Sequence, residues 1–329
     1  MRSTKLPSWI ERLLGFDPVP APPHVLALDA ERLRYGQFLR DRHGWRFRHF
    51  REVALPRDAF HHGPLGGPLR DPAAFQELAR GLLADIPGGV TEASLVIPDG
   101  WLRVTFTESG ELPRAGEARD EVLRWKLRRL VPFRVEELRL AAVEVTPLAV
   151  QEEPQRLLLG FAVEQLLAQV EEAFTALGVR IGRVTNTSLA LLSALDVARP
   201  GSLAAMVLVD EEGYTLVFSR GDEPVLHRYK GLNRTLPEGA RTSFVARDLK
   251  LTRNFLDEQY AGTGIAPLLL VAPPELEPLW VDRLEEGLGR DAAPLDGRHL
   301  PPLRAEEPVP APPWRVLAPM LGAARQEVP

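Results

Sequence analysis

What most constrains this chain is the way its apolar period changes, and changes back, between residues 101 and 177. WLRVTFTE (101–108) reads as a strand. EARDEVLRWKLRRLV (117–131) carries Val122, Leu123, Leu127 and Leu130 at helical spacing. Pro132 then ends that helix, because proline offers no N–H and its ring crowds the preceding turn. LRLAAVEVTPL (138–148) and RLLLGFAV (156–163) are strand runs, and an amphipathic helix over 164–177 is stopped by Gly178. Strand, helix, two strands and helix make an α+β unit in its own right. The chain must carry it as a separate body.

Strand patterns precede that unit. HVLALDA (24–30), RLRYGQFLR (32–40) and WRFRHFREVAL (45–55) come first, the second and third alternating as half-buried antiparallel strands do. A turn-rich loop around 61–68 leads to a helix over 71–86, with Asp71 as cap and Pro72 at its first position. ASLVIPD (93–99) is a further strand. Behind the unit come VRIGRVTNTS (179–188), a helix through Leu195, and a buried hairpin of LAAMVLVD (203–210) and YTLVFSR (214–220). PVLHRYKGL (224–232) completes the meander. A helix near 241–260, a buried strand PLLLVAP (267–273), a helix over 277–288 and a proline-rich stretch over 294–313 follow.

In front of everything, SWIERLL (8–14) reads as a short helix with a Ser8–Glu11 capping box and Gly15 as its stop. Trp9, Ile10, Leu13 and Leu14 share one face of it. DPVPAPP (17–23) then forms a stiff extended linker. The helix is expected to be a separable module, either clamped on its own body or docking a partner or membrane surface.

Composition excludes several function classes. The chain has 329 residues, a net charge of −5 and no cysteine. Disulfides, thiolate metal sites and cysteine nucleophiles are out, and a reducing cytoplasm suits such a chain. The acidic balance gives no reason to expect nucleic acid. No run of 18 apolar residues exists to cross a membrane, and the charged N-terminal cluster does not read as a signal peptide. There is no HExxH, GxSxG, Walker A or dinucleotide fingerprint. Seven histidines are scattered, and the adjacent His61 and His62 lack further ligands at metal spacing, so no metal site is expected.

One segment points to a family. WKLRRLVPFRVEELRL (125–140) resembles the helix, Pro-Phe, acidic pair and strand of PilM, GspL and MshI-type proteins of type IV pilus and type II secretion machinery. Residues 156–184, 204–229 and 314–325 follow in the same family's order. The resemblance implies an α/β, actin-like (ribonuclease H-like) two-domain fold with a small inserted α+β domain. On that reading residues 1–23 are the helix and linker, 24–98 the first subdomain, 99–178 the inserted domain and 179–329 the second domain.

Actin-like ATPases hold nucleotide on turns of the form Asp-x-Gly-Ser/Thr and on a later Gly-Gly turn, whose glycines let backbone N–H groups cradle phosphate. Here the first turn is Asp29-Ala30-Glu31 and the second Asp210-Glu211-Glu212-Gly213, followed by Thr215. The third is Val271-Ala272-Pro273-Pro274. Asp29, Asp210, Gly213 and Thr215 are remnants, while Glu31 and Glu212 would bring carboxylates toward a triphosphate. Like charges about 4 Å apart repel by roughly 1 kcal/mol even in water. No cofactor and no enzymatic activity are therefore expected, the alternative being an ATPase that uses ATP with Mg2+ through divergent loops.

The resemblance further implies a cytoplasmic scaffold peripheral to the inner membrane. It would hold the tail of a bitopic PilN-like protein among other platform proteins, with a homodimer also allowed. An FtsA-like self-polymerising protein is the third reading. Candidate partner-binding residues are Trp125, Arg128, Pro132 and Phe133, with Trp9 and Leu13 on the N-terminal helix. Arg119, Arg124, Lys126, Arg128 and Arg129 beside Trp125 form either a solvated helix face or a surface for a partner's tail or anionic lipid.

Overall fold

A computed structural model describes residues 19–109, 113, 116–145, 156–195, 202–221, 223–233, 235–261, 263–306 and 312–328. The capped helix over 8–14, with Trp9 and Leu13, lies outside the described residues.

The first sheet grows from an antiparallel meander of β2 (His24–Leu28), β3 (Arg32–Asp41) and β4 (Gly44–Ala54). The chain then crosses through α1 (Pro72–Leu83) to β5 (Glu92–Ile97), which lies parallel to β2. Asp71 caps α1 by accepting the Ala74 N–H at 2.9 Å, and Pro72 takes a first-turn position where no donor is needed. Two later segments complete this sheet: β9 (Arg180–Asn186) parallel to β5, and β15 (Leu303–Ala305) parallel to β4. The order is β15-β4-β3-β2-β5-β9.

Inserted after β5 is a three-stranded antiparallel sheet, β6 (Arg103–Glu108), β8 (Arg156–Val163) and β7 (Leu138–Val145) in spatial order. The helix α2 (Glu117–Arg128) covers one face of it, burying Leu123 and Leu127 against Leu138, Leu157, Leu159 and Phe161. The helix α3 (Glu164–Thr175) follows and stops at Gly178, whose φ of +78° favours glycine. It lies beside α1, with Phe174 edge-on to Phe75 at 6.1 Å between centroids.

The second sheet has the order β12-β11-β10-β13-β14. Strands β10 (Ser202–Val209), β11 (Gly213–Arg220) and β12 (Glu223–Gly231) form the meander, and β13 (Gly264–Val271) and β14 (Ala292–Pro294) add in parallel. Helices α5 (Glu238–Gln259) and α6 (Glu277–Leu288) cover its outer face. Between the two sheets run α4 (Thr187–Ala194) and α7 (Trp314–Arg325). The run TSLALLSA of α4 is apolar on nearly every side, as a helix buried in the middle layer must be. The strand β10 alternates accordingly: Leu203, Ala205 and Val207 face α5 and α6, while Met206 and Leu208 face α4 and α7.

Several expectations need correction. The inserted domain does not run over 99–178, because α3 belongs to the core of the first sheet; its own sheet spans β6 to β8. The second domain does not take all of 179–329, because β9, β15 and α7 return to the first sheet, where their apolar faces are covered. The helix expected over 117–131 ends at Arg128, and Leu130 is left 49% exposed. The proline-rich stretch hides β15, and β14 runs into its start; both are three-residue strands too short to show a period. The linker over 17–23 is not wholly free: β1 (Val19–Pro20) pairs antiparallel with β16 (Glu327–Val328), tying this end of the chain to the other.

Candidate functional site

The third degenerate turn follows β13, which runs parallel to β10, so it lies beside the turn at Asp210. Two hairpin turns are built alike. Asp29, closing β2, accepts the N–H groups of Glu31 and Arg32 on Oδ1, both at 2.8 Å, and its Oδ2 takes Arg34 at 2.5 Å. Asp210, closing β10, accepts the N–H groups of Glu212 and Gly213 on Oδ1, both at 2.7 Å. A phosphate cradle needs such donors free, and here each turn's own carboxylate takes them. Glu31 and Glu212 point to solvent. Gly213 is required by space: a Cβ there would meet the Lys230 carbonyl and lie 2.7 Å from the Tyr229 hydroxyl.

A buried polar chain bridges the domains. Asp99, in the loop after β5, accepts the Ser188 hydroxyl at 2.6 Å and the Ser188 N–H at 3.2 Å on Oδ1. Ser188 sits in the first turn of α4, which Asn186 caps by accepting the Leu189 N–H at 2.9 Å. On the other side His227 Nε2, from β12, meets the same hydroxyl at 2.7 Å. With Ser188 donating to Asp99, the imidazole donates from Nε2, and its buried Nδ1 has no partner among the described residues. Thr215 of β11, 1% exposed, stands beside Asp99.

Burial sets the electrostatics. It pushes the Asp99 carboxyl up to about 7, with the nearby Asp210 carboxylate adding to the rise and the Ser188 hydrogen bonds and the Thr215 hydroxyl opposing it. It pushes His227 down to about 4. Tyr229 on β12 fills the remaining space. Its hydroxyl lies 2.9 Å from where a Cβ on Gly100 would stand, and burial, reinforced by Asp210, raises its pKa. Arg103 of β6 lays its guanidinium over Tyr229 at 4.8 Å and over Phe133 at 5.4 Å, and donates to the Pro64 carbonyl at 2.7 Å. The site is thus plugged by the protein's own side chains.

Of the described residues expected to bind a partner, Phe133 reaches this neighbourhood; it is half-buried beside Phe161, 6.4 Å between centroids. Pro132 is exposed next to it. Trp125, 55% exposed, and Arg128, paired with Glu136 at 2.5 Å, stand on the solvent side of α2. The basic face of α2 is largely consumed as staples. Arg119 donates to the Ala142 carbonyl at 3.2 Å, Arg124 to those of Val135 and Leu138, and Lys126 to that of Glu108 at 2.9 Å, while Arg129 stacks on Trp125. This favours the structural reading of that helix over a lipid or tail surface. Among the described residues no three His, Asp or Glu side chains gather to hold a metal.

Sequence reasoning missed Asp99, Ser188, His227, Tyr229 and Arg103. Asp99 and Ser188 are 89 residues apart, so nothing local joins them. His227 did carry a signal: it follows Val225 and Leu226 in a strand, a place where a histidine is buried and needs a partner.

Two α/β domains around a shared helical layer, with an α+β insertion in the first, make this an actin-like fold. Its fold is similar to that of a chain in the PilM–PilN type IV pilus biogenesis complex, with a TM-score of 0.66 and 17% identity over 93% of this chain and 97% of that one. The cytoplasmic domain of EpsL, an inner-membrane component of the Vibrio cholerae type II secretion system, gives a TM-score of 0.44 at 12% identity, over 92% and 93% of the two chains. The ethanolamine utilization protein EutJ of Carboxydothermus hydrogenoformans gives 0.44 at 8% identity, over 97% and 98%. No family profile matches the sequence, and no curated protein does.

Proposed function

We propose that this chain is a non-catalytic scaffold of the inner-membrane platform of a type IV pilus or related secretion machine. It acts at the cytoplasmic face of the membrane and holds the tail of a bitopic membrane protein of the PilN kind. The observation that carries this reading is the plugged site: Asp29 and Asp210 cap their own turns, and Asp99, Ser188, His227 and Tyr229 pack together beside Asp210. A triphosphate there would have to displace a buried hydrogen-bonded chain and sit beside the Asp99 and Asp210 carboxyl groups, at a cost of several kcal/mol. The similar fold in the PilM–PilN complex supports the choice of machine and partner.

The inserted domain supports the docking role. Among the described residues β7 pairs only with β8, which makes it an edge strand; Arg124 and Arg119 take its Leu138 and Ala142 carbonyls, while Val143 is 53% exposed. An extended tail would add main-chain hydrogen bonds along such an edge and set alternate side chains against it. Co-expression with the product of an adjacent reading frame, one with a short polar N-terminus and a single transmembrane helix, tests the assignment. The two are expected to co-purify from detergent, and removal of the short N-terminus abolishes capture. Co-purification that survives the removal contradicts the tail-binding role.

A further inference from the structure

Charge is unevenly placed along this chain. Residues 228–254 hold seven Lys or Arg against two Asp or Glu, within a protein of net charge −5. The fold sorts these cations. Arg228 and Lys230 turn inward to the buried Asp248, at 3.5 and 3.4 Å, and Arg253 reaches Asp257 at 3.8 Å. Arg247 and Lys250 are exposed and, among the described residues, make no hydrogen bond or ion pair.

Both stand on the face of α5 opposite Val245, Leu249, Thr252 and Leu256, which pack into the protein. Beside them Phe244 is 43% exposed and Leu251 54%, one two-turn step apart, and Leu236 is 44% exposed just before the helix. From Phe244 to Leu251 the only acid is the buried Asp248, so this stretch of the face shows cations and large apolar groups; Asp257, which Arg253 pairs, and Glu258 stand exposed two turns further on. The neighbouring α6 meets α5 along Thr242 and Leu249, and its carboxylates Asp282, Glu285 and Glu286 are exposed.

We infer that this face of α5 is a contact surface for membranes containing anionic phospholipid. Phe244 and Leu251 enter the interfacial layer, and Arg247 and Lys250 lay their stems beside them and pair with headgroup phosphates. Lying flat, the two turns from Phe244 to Leu251 give about 10 Å of contact. A lipid surface fits better than an acidic peptide because the face is a convex helix side, whereas an extended peptide is held by a groove or a sheet edge. The inference goes beyond the scaffold reading and does not depend on it.

The test is co-sedimentation of the full chain with vesicles of phosphatidylcholine alone or mixed with phosphatidylglycerol. The chain is expected to sediment with the anionic vesicles only, and less as salt rises. The pair Arg247→Glu and Lys250→Glu, and separately the pair Phe244→Ser and Leu251→Ser, each lower the partition coefficient roughly tenfold or more. Melting temperature stays unchanged in both, since all four side chains face outward. Absence of binding, equal binding to neutral vesicles, or α5 variants that bind like the parent while Trp9→Ser with Leu13→Ser does not, each overturn the assignment. So does loss of a dimer or of polyglutamate binding in the α5 variants without any vesicle binding, which would make the face a protein interface.

Discussion

Gly322→Ala is expected to lower the stability of this protein by about 3 kcal/mol or more, against the direction that helix propensity alone gives. In an exposed helix interior the same substitution stabilises by about 1 kcal/mol, because alanine loses less backbone entropy than glycine. Gly322, however, lies where α7 crosses α4 between the two sheets. A Cβ there would overlap the carbonyl oxygen of Ala190, stand 2.6 Å from its carbon and 3.0 Å from the Ala194 nitrogen. Backbone cannot swing aside as a side chain can, so the helices must separate. Ala190 and Leu317 on one side, and Leu191 and Ala318 on the other, then lose contact with both sheets. Gly81→Ala in α1 is the internal comparison. A Cβ there meets nothing within 4 Å and the residue is exposed, so that variant should gain about 0.5–1 kcal/mol. Denaturant unfolding of the two variants checks the pair. Equal shifts of the same sign would contradict the packing account.

Asp99→Asn is expected to stabilise the protein above neutral pH by an amount on the order of 3 kcal/mol, and to uncover an acid sensitivity that the parent lacks. The native carboxyl titrates near 7 against an ordinary 3.8, so its stability contribution is complete below 3.8 and is lost as pH rises through 7. The imidazole of His227 titrates near 4 against 6.5, so its contribution is complete above 6.5 and is lost as pH falls through 4. Between about pH 4 and 6.5 the two slopes oppose each other, and the parent should be nearly flat there as far as this pair is concerned. The amide keeps an oxygen for Ser188 and offers its N–H2 toward Thr215, but it cannot ionise. At pH 8 the variant therefore escapes the cost of a buried carboxylate. From pH 6.5 down to 4 only the His227 slope remains, and stability falls by the equivalent of one proton. Unfolding free energies at pH 4.5, 6 and 8 check this. A variant less stable than the parent at pH 8 would mean that the Asp99 charge is favourable in the bridge.

How much of this was legible beforehand depends on sequence distance. The elements with a period were readable: Asp71 and Pro72 announce α1, Gly178 ends α3, and the strand–turn–strand around Asp210 and Gly213 is a hairpin by its pattern. What joins distant segments was not. Nothing in VRIGRVTN says that it will lie parallel to β5 rather than begin a new domain, and Leu303–Ala305 is too short to show alternation inside a proline-rich run. The basic face of α2 read as either a solvated face or a binding surface, because a helical wheel cannot see the carbonyls of Val135, Leu138 and Glu108 that take up its cations. The degenerate turns were readable as missing glycines. That Asp29 and Asp210 cap those turns, and that Asp99, Ser188 and His227 bridge the domains, comes only from the fold.

The claim that this protein of actin-like fold works without nucleotide is tested most directly by a thermal-shift titration with Mg-ATP. A ligand at 100 times its dissociation constant stabilises the folded state by about 2.7 kcal/mol. The plugged site predicts a melting temperature that does not move up to millimolar Mg-ATP. A saturable upward shift, removed by alanine at both Asp29 and Asp210, would contradict it.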